Sequence, residues 1–265
     1  MELDPDIAAY YAQGREGARL TASPNLEYLR TRDLLGRLVP PPPRTIIDVG
    51  GGEGVYAVPL ARQGYTVHLV DPIERHVAAA RATGVLAGAE VGDARSLPHA
   101  DASADAVLLL GPLYHLVARE DRVRALREAR RVLRPGGVVA AAGISRYASL
   151  LDGIKRGWLD DSNYASLVEG ALRDGVHRND PRENGRWFTL AYFHRPDELR
   201  DELVEAGLAD VEVRAVEGLG AARDDGALLA DRVARERLLR VLTELEREPS
   251  LLGAGSHLLA TGTRS

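Results

Sequence analysis

The chain has no cysteine, one methionine and, among 34 basic residues, a single lysine, Lys155. Without cysteine there is neither a disulfide framework nor a thiolate metal site, and a reducing, cytoplasmic setting is expected. Long apolar runs are missing as well. The opening "MELDPDIAAYY" carries no basic flank and no hydrophobic stretch, and nothing downstream has the length of a membrane span, so neither a secretory signal nor a membrane partner is expected. Basic clusters are also lacking, and with a net charge of −5 a nucleic-acid partner held through its phosphates is disfavoured. Aromatic residues make up only 5% of the chain, which gives weight to the places where they gather.

What is present is enough for a sizeable core: 265 residues, 45% of them apolar, suit one large α/β domain or a domain with a lid. Residues before Val39 read as helical, with Leu26, Leu29, Leu34, Leu35 and Leu38 forming an apolar stripe, and prolines 40–43 stop the helix. Strands are expected from Thr45 and over 67–70, 90–92, 106–110 and 138–142, with helices over 74–83 and 121–133 between them and "RPGG" closing the second. Strict alternation of this kind predicts a parallel sheet with helices on both faces. The rhythm breaks after Gly143. Residues 144–190 are long and polar and carry both tryptophans, Trp158 and Trp187, as expected of an insert over a site. Alternation then resumes with a helix opened by Pro196, faced by Leu199 and Leu203 and capped by Gly207, and with a strand over 209–216. A helix is expected over 227–247 with Leu238, Val241, Leu242 and Leu245 on one side, and a last strand in "SHLLATGTR".

The most informative stretch is "IIDVGGGEGVYA", where β-branched residues run into four glycines: a buried strand opening into a loop built against a ligand. A dinucleotide loop needs G-x-G-x-x-G, but Val55 stands where the third glycine would fall, and no Gly-Lys-Ser/Thr follows for a phosphate loop. What remains is D-x-G-x-G-x-G from Asp48 through Gly50, Gly51, Gly52 and Gly54. Glycines let the backbone pass close to a ligand, and a carboxylate at the strand end accepts from an ammonium. Two further acids follow at about one βα unit each: Asp71 with Pro72 in "VHLVDP", and Asp93, Ala94 and Arg95 in "VGDARSLP".

This set, with "LRPGGVV" before the fifth strand, resembles the class I S-adenosylmethionine (SAM)-dependent methyltransferases, in particular a bacterial small-molecule branch. The resemblance covers about 46–143 closely and the rest in outline. It implies a Rossmann-like fold with a mostly parallel seven-stranded sheet, helices on both faces and a helical lid. The division it implies is a helical lid segment over 1–43, a SAM-binding core over 44–143, a lid or substrate insert over 144–190 and the remainder of the sheet with a helical insertion over 191–265. It places Asp48 on the amino-acid end of SAM, Asp71 on the ribose and Asp93 near the adenine, with Leu110 and Gly111 beside the cofactor and Tyr11 closing over it.

The acceptor side is expected after the fourth strand and in the lid. "LGPLYHL" lacks the polar residue and second proline used by methyltransferases of adenine or glutamine amides, because Gly111 and Leu113 stand there. Tyr114 and His115 remain as catalytic candidates, His115 as a base near neutral pKa. Trp187, Phe188, Tyr192 and Phe193 form an aromatic group, with Tyr10 beside Tyr11 as a second pair, on which a flat substrate can stack or which can anchor the lid to the sheet. His194 in "YFHRP" is a weaker substrate-side candidate, and His257 in the last strand either lines the site or is, as is more usual for such a residue, simply half-buried. The "DDSN" turn reads as a solvated acidic turn, and no metal is expected. The expected activity is methyl transfer from SAM to O or N, with C open, of a small aromatic or heterocyclic metabolite. A non-catalytic SAM sensor or partner subunit and an RNA or protein methyltransferase stay open as alternatives, as do monomer and homodimer.

Overall fold

The computed structural model describes residues 4–12, 20, 25–179, 186–222 and 226–265. Parts of the expected N-terminal helical segment (13–19, 21–24) and of the lid (180–185) lie outside the described residues.

Among the described residues the helices α1 (Pro5–Ala12) and α2 (Leu26–Leu38) precede the sheet, and the side chain of Asn25 caps α2 by accepting from the Tyr28 N–H. The sheet begins with β1 (Thr45–Val49), α3 (Ala57–Arg62), β2 (Thr66–Asp71), α4 (Glu74–Ala82), β3 (Gly88–Val91) and β4 (Ala104–Leu109). A single turn, α5 (Pro112–His115), then α6 (Arg119–Val132), lead to the long β5 (Leu133–Ser145). These five strands pair in parallel in the order β3-β2-β1-β4-β5. The insert contributes α7 (Ala148–Arg156), α8 (Ser162–Asp174) and the short β6 (Val176–His177). It is followed by β7 (Ala191–His194), α9 (Pro196–Glu205), β8 (Ala209–Ala215), α10 (Gly226–Ala230), α11 (Arg232–Leu245) and β9 (His257–Thr263).

β9 closes the sheet by lying antiparallel between β5 and β8. β7 pairs in parallel with the last residues of β5, Ile144 with Phe193 and Ser145 with His194, where β4 has already ended, and β6 pairs antiparallel with β7. The mostly parallel, Rossmann-like sheet is therefore as expected, with β6 and β7 as an addition rooted at the carboxyl end of β5.

Alternation along each strand builds two apolar layers. Ile47, Val49, Val107, Leu109, Val139 and Ala141 face one side, against Leu126 and Ala129 of α6 and Leu199 and Leu203 of α9. Ile46, Leu69, Ala106, Leu108 and Ala140 face the other, against Leu34 and Leu35 of α2, Leu60 of α3 and Val77 of α4. The lid has a small core of its own in Tyr164, Leu167, Val168 and Trp187.

Two expectations need correction. "RPGG" does not lie between helix and strand: Leu133 already pairs with Ala104, and the ladder resumes at Val138 with Ala106, so the glycines form an irregularity inside β5. Gly136 takes φ +77° there and donates its N–H to the Arg264 carbonyl. The expected helix over 227–247 is broken at Asp231, whose carboxylate caps α11 by accepting from the Ala234 N–H, and Val241 is exposed because α11 turns Leu242 inward instead.

Candidate active site

The carboxyl ends of the parallel strands open into one large cavity, as expected of an open α/β sheet. Its floor is the loop after β1. Gly50 adopts φ +68°, and a Cβ on it would stand 2.7 Å from Pro112 Cγ. A Cβ on Gly51 would stand 2.8 Å from Asp48 Oδ2, so only bare backbone lets β1 and α5 approach this closely. Gly54 lies behind the loop, accepting from the Val58 N–H, and does not border the cavity.

Asp48 is buried, and its Oδ2 has no hydrogen-bond partner among the described residues. Burial, reinforced by the negative charge of Asp71, pushes the Asp48 carboxyl up to about 7. An orphaned carboxylate oxygen at a cavity wall suits a cationic donor, and the ammonium of SAM is one. Asp71 ends β2. Its Oδ2 accepts from the Gly52 N–H at 2.9 Å, its Oδ1 accepts from the Ile73 N–H at 2.9 Å, and His76 Nδ1 lies 3.1 Å from the same oxygen. These bonds lock the carboxylate against the glycine loop. Asp93 is gripped by its neighbour: Arg95 donates through its backbone N–H at 2.8 Å and through its guanidinium at 2.6 and 2.9 Å. Although burial pushes the Asp93 carboxyl up, these Arg95 contacts outweigh it and hold the group below the usual range. Arg95 in turn bonds Asp121, and Pro72, Ala94, Leu110 and Gly111 complete this end of the cavity.

The opposite wall is aromatic. Tyr114 donates its hydroxyl to the Leu110 carbonyl at 3.2 Å, and its ring packs on His115 with centroids 4.7 Å apart. His115 Nδ1 faces the Leu190 carbonyl at 3.4 Å and its Nε2 meets the Tyr11 hydroxyl at 2.7 Å. A carbonyl only accepts, so Nδ1 carries the proton and Nε2 receives the Tyr11 O–H. Burial pushes the His115 imidazole down to about 4. Tyr11 belongs to α1, which crosses the cavity, and the Tyr11 ring also packs edge-on against His76.

The structure separates the remaining aromatic candidates from the cavity wall. Tyr10 and Phe188 pack on each other edge-to-face at 5.4 Å, and Phe188 backs the His115 ring at 5.9 Å. Trp187 packs in the lid core against Tyr164 at 5.1 Å. Tyr192 lies under the Arg122 guanidinium at 3.7 Å and donates to Glu198. His194, the last residue of β7, is fully buried 3.3 Å from Glu202 of α9, which also holds Arg122. Asp161 of the "DDSN" turn caps α8 by accepting from the Asn163 and Tyr164 N–H groups.

Several cavity residues carried no signal in the sequence. His76 reaches Asp71 from the first turn of α4, and Glu27 and Thr31 reach in from α2. Leu259 enters from β9 and Val216 from just after β8, and His257, a candidate already from its place in the last strand, lines the cavity as well. His257 Nδ1 lies 2.6 Å from Glu217 Oε1, a contact between residues 40 positions apart that no local pattern announces.

A family model described as a methyltransferase domain matches residues 47–141, the stretch from β1 through β5 that carries the three acids. The methyltransferase GfsG of Streptomyces halstedii is 29% identical over 77% of this chain and 85% of its own. A ubiquinone biosynthesis O-methyltransferase of Ruegeria pomeroyi is 30% identical over 63% of this chain and 60% of its own, and mycobacterial methyltransferases match over 40% of theirs. Among solved structures, the 1,6-didemethyltoxoflavin-N1-methyltransferase of Burkholderia thailandensis shares the fold, with a TM-score of 0.60 at 17% identity over 98% of this chain and 86% of that one. The chain thus carries a methyltransferase domain over residues 47–141, and its likeness to these proteins supports a class I SAM-dependent methyltransferase. It is an enzyme that uses SAM as methyl donor. Among the described residues no helix is long and apolar enough to cross a membrane.

Proposed function

We propose that this methyltransferase acts on an oxygen or nitrogen of a small, flat metabolite, with Asp48, Asp71 and the glycine loop holding SAM. The observation that carries this reading is the course of the cavity. Its lining joins Asp48 and Asp71 to Tyr11, Tyr114, His115, Ala142 and His257. A partly covered, largely apolar recess of this kind suits a small molecule, whereas a polymer needs an open track. SAM supplies the electrophilic methyl group. The chain's part is alignment of the acceptor with it, exclusion of water and removal of the acceptor's proton.

The test is incubation of the protein with SAM and a panel of phenols, catechols and nitrogen heterocycles, read by mass spectrometry. A one-methyl mass gain on a panel member is the expected result. Methylation of RNA or protein with every small molecule left unchanged would overturn the proposal.

A further inference from the structure

We infer that Asp71 grips only one hydroxyl of the SAM ribose, because His76 fills the place of the other, an inference that rests on the reading above that Asp71 holds SAM. An ionised carboxylate offers about four lone-pair sites, about two on each oxygen. On Asp71 the Oδ1 oxygen accepts from the Ile73 N–H at 2.9 Å and from His76 Nδ1 at 3.1 Å. The Oδ2 oxygen accepts from the Gly52 N–H at 2.9 Å. One acceptor site therefore remains, and it lies on Oδ2. A ribose presents two neighbouring hydroxyls, so one of them finds no place on this carboxylate while His76 keeps its own.

His76 is held to that place from several sides. Its Nδ1 faces a carboxylate, which only accepts, and its Nε2 lies 3.3 Å from Nη2 of Arg75, whose guanidinium only donates. Both contacts demand the same tautomer, with the ring proton on Nδ1 and the lone pair on Nε2. A rotation of the ring that released Asp71 would break the Arg75 contact as well. The same Arg75 nitrogen donates to the Tyr11 carbonyl at 2.7 Å and so ties α4 to α1. The Tyr11 ring stands edge-on to the imidazole with centroids 5.9 Å apart. His76 is 7% exposed and borders the cavity. It gives up Asp71 only at the cost of these contacts together, whereas a ribose hydroxyl without a site on Asp71 can keep a water as its partner.

The consequence is a cofactor end that tells the two ribose hydroxyls apart. One is read by a charged acceptor and the other is not. His76 is in this sense a positioning residue. It acts through Asp71 by occupying one of its oxygens.

The test is calorimetric titration of the full chain with S-adenosylhomocysteine and with its 2′-deoxy and 3′-deoxy analogues. Wild type is expected to bind one analogue as tightly as the parent and the other about 10- to 150-fold more weakly, the range for a hydrogen bond to a charged group. His76→Leu removes the donor and opens the second site, so both analogues should then bind more weakly than the parent. His76→Asn keeps an N–H donor at about the reach of Nδ1 and should restore the asymmetry. In 15N-histidine-labelled protein the imidazole that is lost in His76→Asn should be the Nδ1–H tautomer, both before and after saturation with S-adenosylhomocysteine.

Equal weakening of both analogues in wild type, or a change of tautomer when S-adenosylhomocysteine binds, would show that His76 gives way and would overturn the inference. The wild-type asymmetry surviving in His76→Leu would overturn it too. If thermal melts show that His76→Leu does not fold, the wild-type titrations and the tautomer decide alone. Equal binding of all three ligands by wild type is a different failure: it takes Asp71 off the ribose, and the inference goes with that reading.

Discussion

The two ends of the cavity are built in different ways. At the end proposed for SAM the holding contacts are short in sequence: Arg95 grips Asp93 two residues away, His76 meets Asp71 five away, and Gly52 donates to Asp71 nineteen away. At the end proposed for the acceptor they are long: Tyr11 to His115 spans 104 residues, His115 to Leu190 spans 75 and Glu217 to His257 spans 40. The first end is fixed by consecutive βα units that any chain of this fold must form in order. The second depends on where α1, the lid and β9 come to rest. On the proposed reading, the difference teaches that a cofactor motif is a local device, whereas acceptor choice belongs to the assembled fold.

The comparison breaks most sharply at Trp187, which belongs to the lid core and not to the cavity wall. Trp187→Ala is expected to cost the lid about 3–5 kcal/mol, the range for truncating a buried aromatic. Hydrogen exchange should show 148–174 opening early while calorimetric SAM affinity stays at its wild-type value. An equal loss of SAM affinity would mean that lid and cofactor end form one cooperative unit.

Asp48 sharpens the cofactor side. Its carboxyl rises from an ordinary 3.8 to about 7 in the fold, so the native state binds the proton more tightly than the unfolded chain does. The stability it contributes is complete below about pH 4 and is lost as pH climbs to 7, a change on the order of 4 kcal/mol. Asp48→Asn should flatten that decline in thermal melts of the SAM-free protein between pH 4 and 8. A variant that keeps the wild-type slope would show that another group carries it.

The smallest of the three effects is expected at Asp71. Asp71→Ala removes the acceptor for two backbone N–H groups and for the proposed ribose contact, and should weaken SAM binding by about 1–3 kcal/mol in calorimetry. Unchanged affinity would reject Asp71 as the ribose ligand and leave it a loop brace alone.

The legibility of the molecule follows the same division. The β1 glycine loop, the acids at the ends of β2 and after β3, and the five parallel strands were readable because period, turn chemistry and spacing are properties of neighbouring residues. "RPGG" misled because glycine and proline mark a break in regular backbone without saying whether a helix or a bulging strand surrounds it. Val241 misled because an apolar position four residues from another does not say how far the buried stripe extends. The dense aromatic group from Trp187 to Phe193 was visible, but its members point into the lid core, against His115 and under Arg122, and spacing alone cannot choose among those directions.

By itself the sequence determined the alternation that makes the sheet, the loop that a side chain on Gly50 or Gly51 would block, and the row of acids beside it. Only the tertiary structure decided that α1 bridges to His115 through Tyr11, that His194 is sealed against Glu202, and that His257 meets Glu217 at the rim of β5. Those decisions are contacts between elements far apart in the chain, and their geometry follows from packing against a common core, where no local pattern has a say.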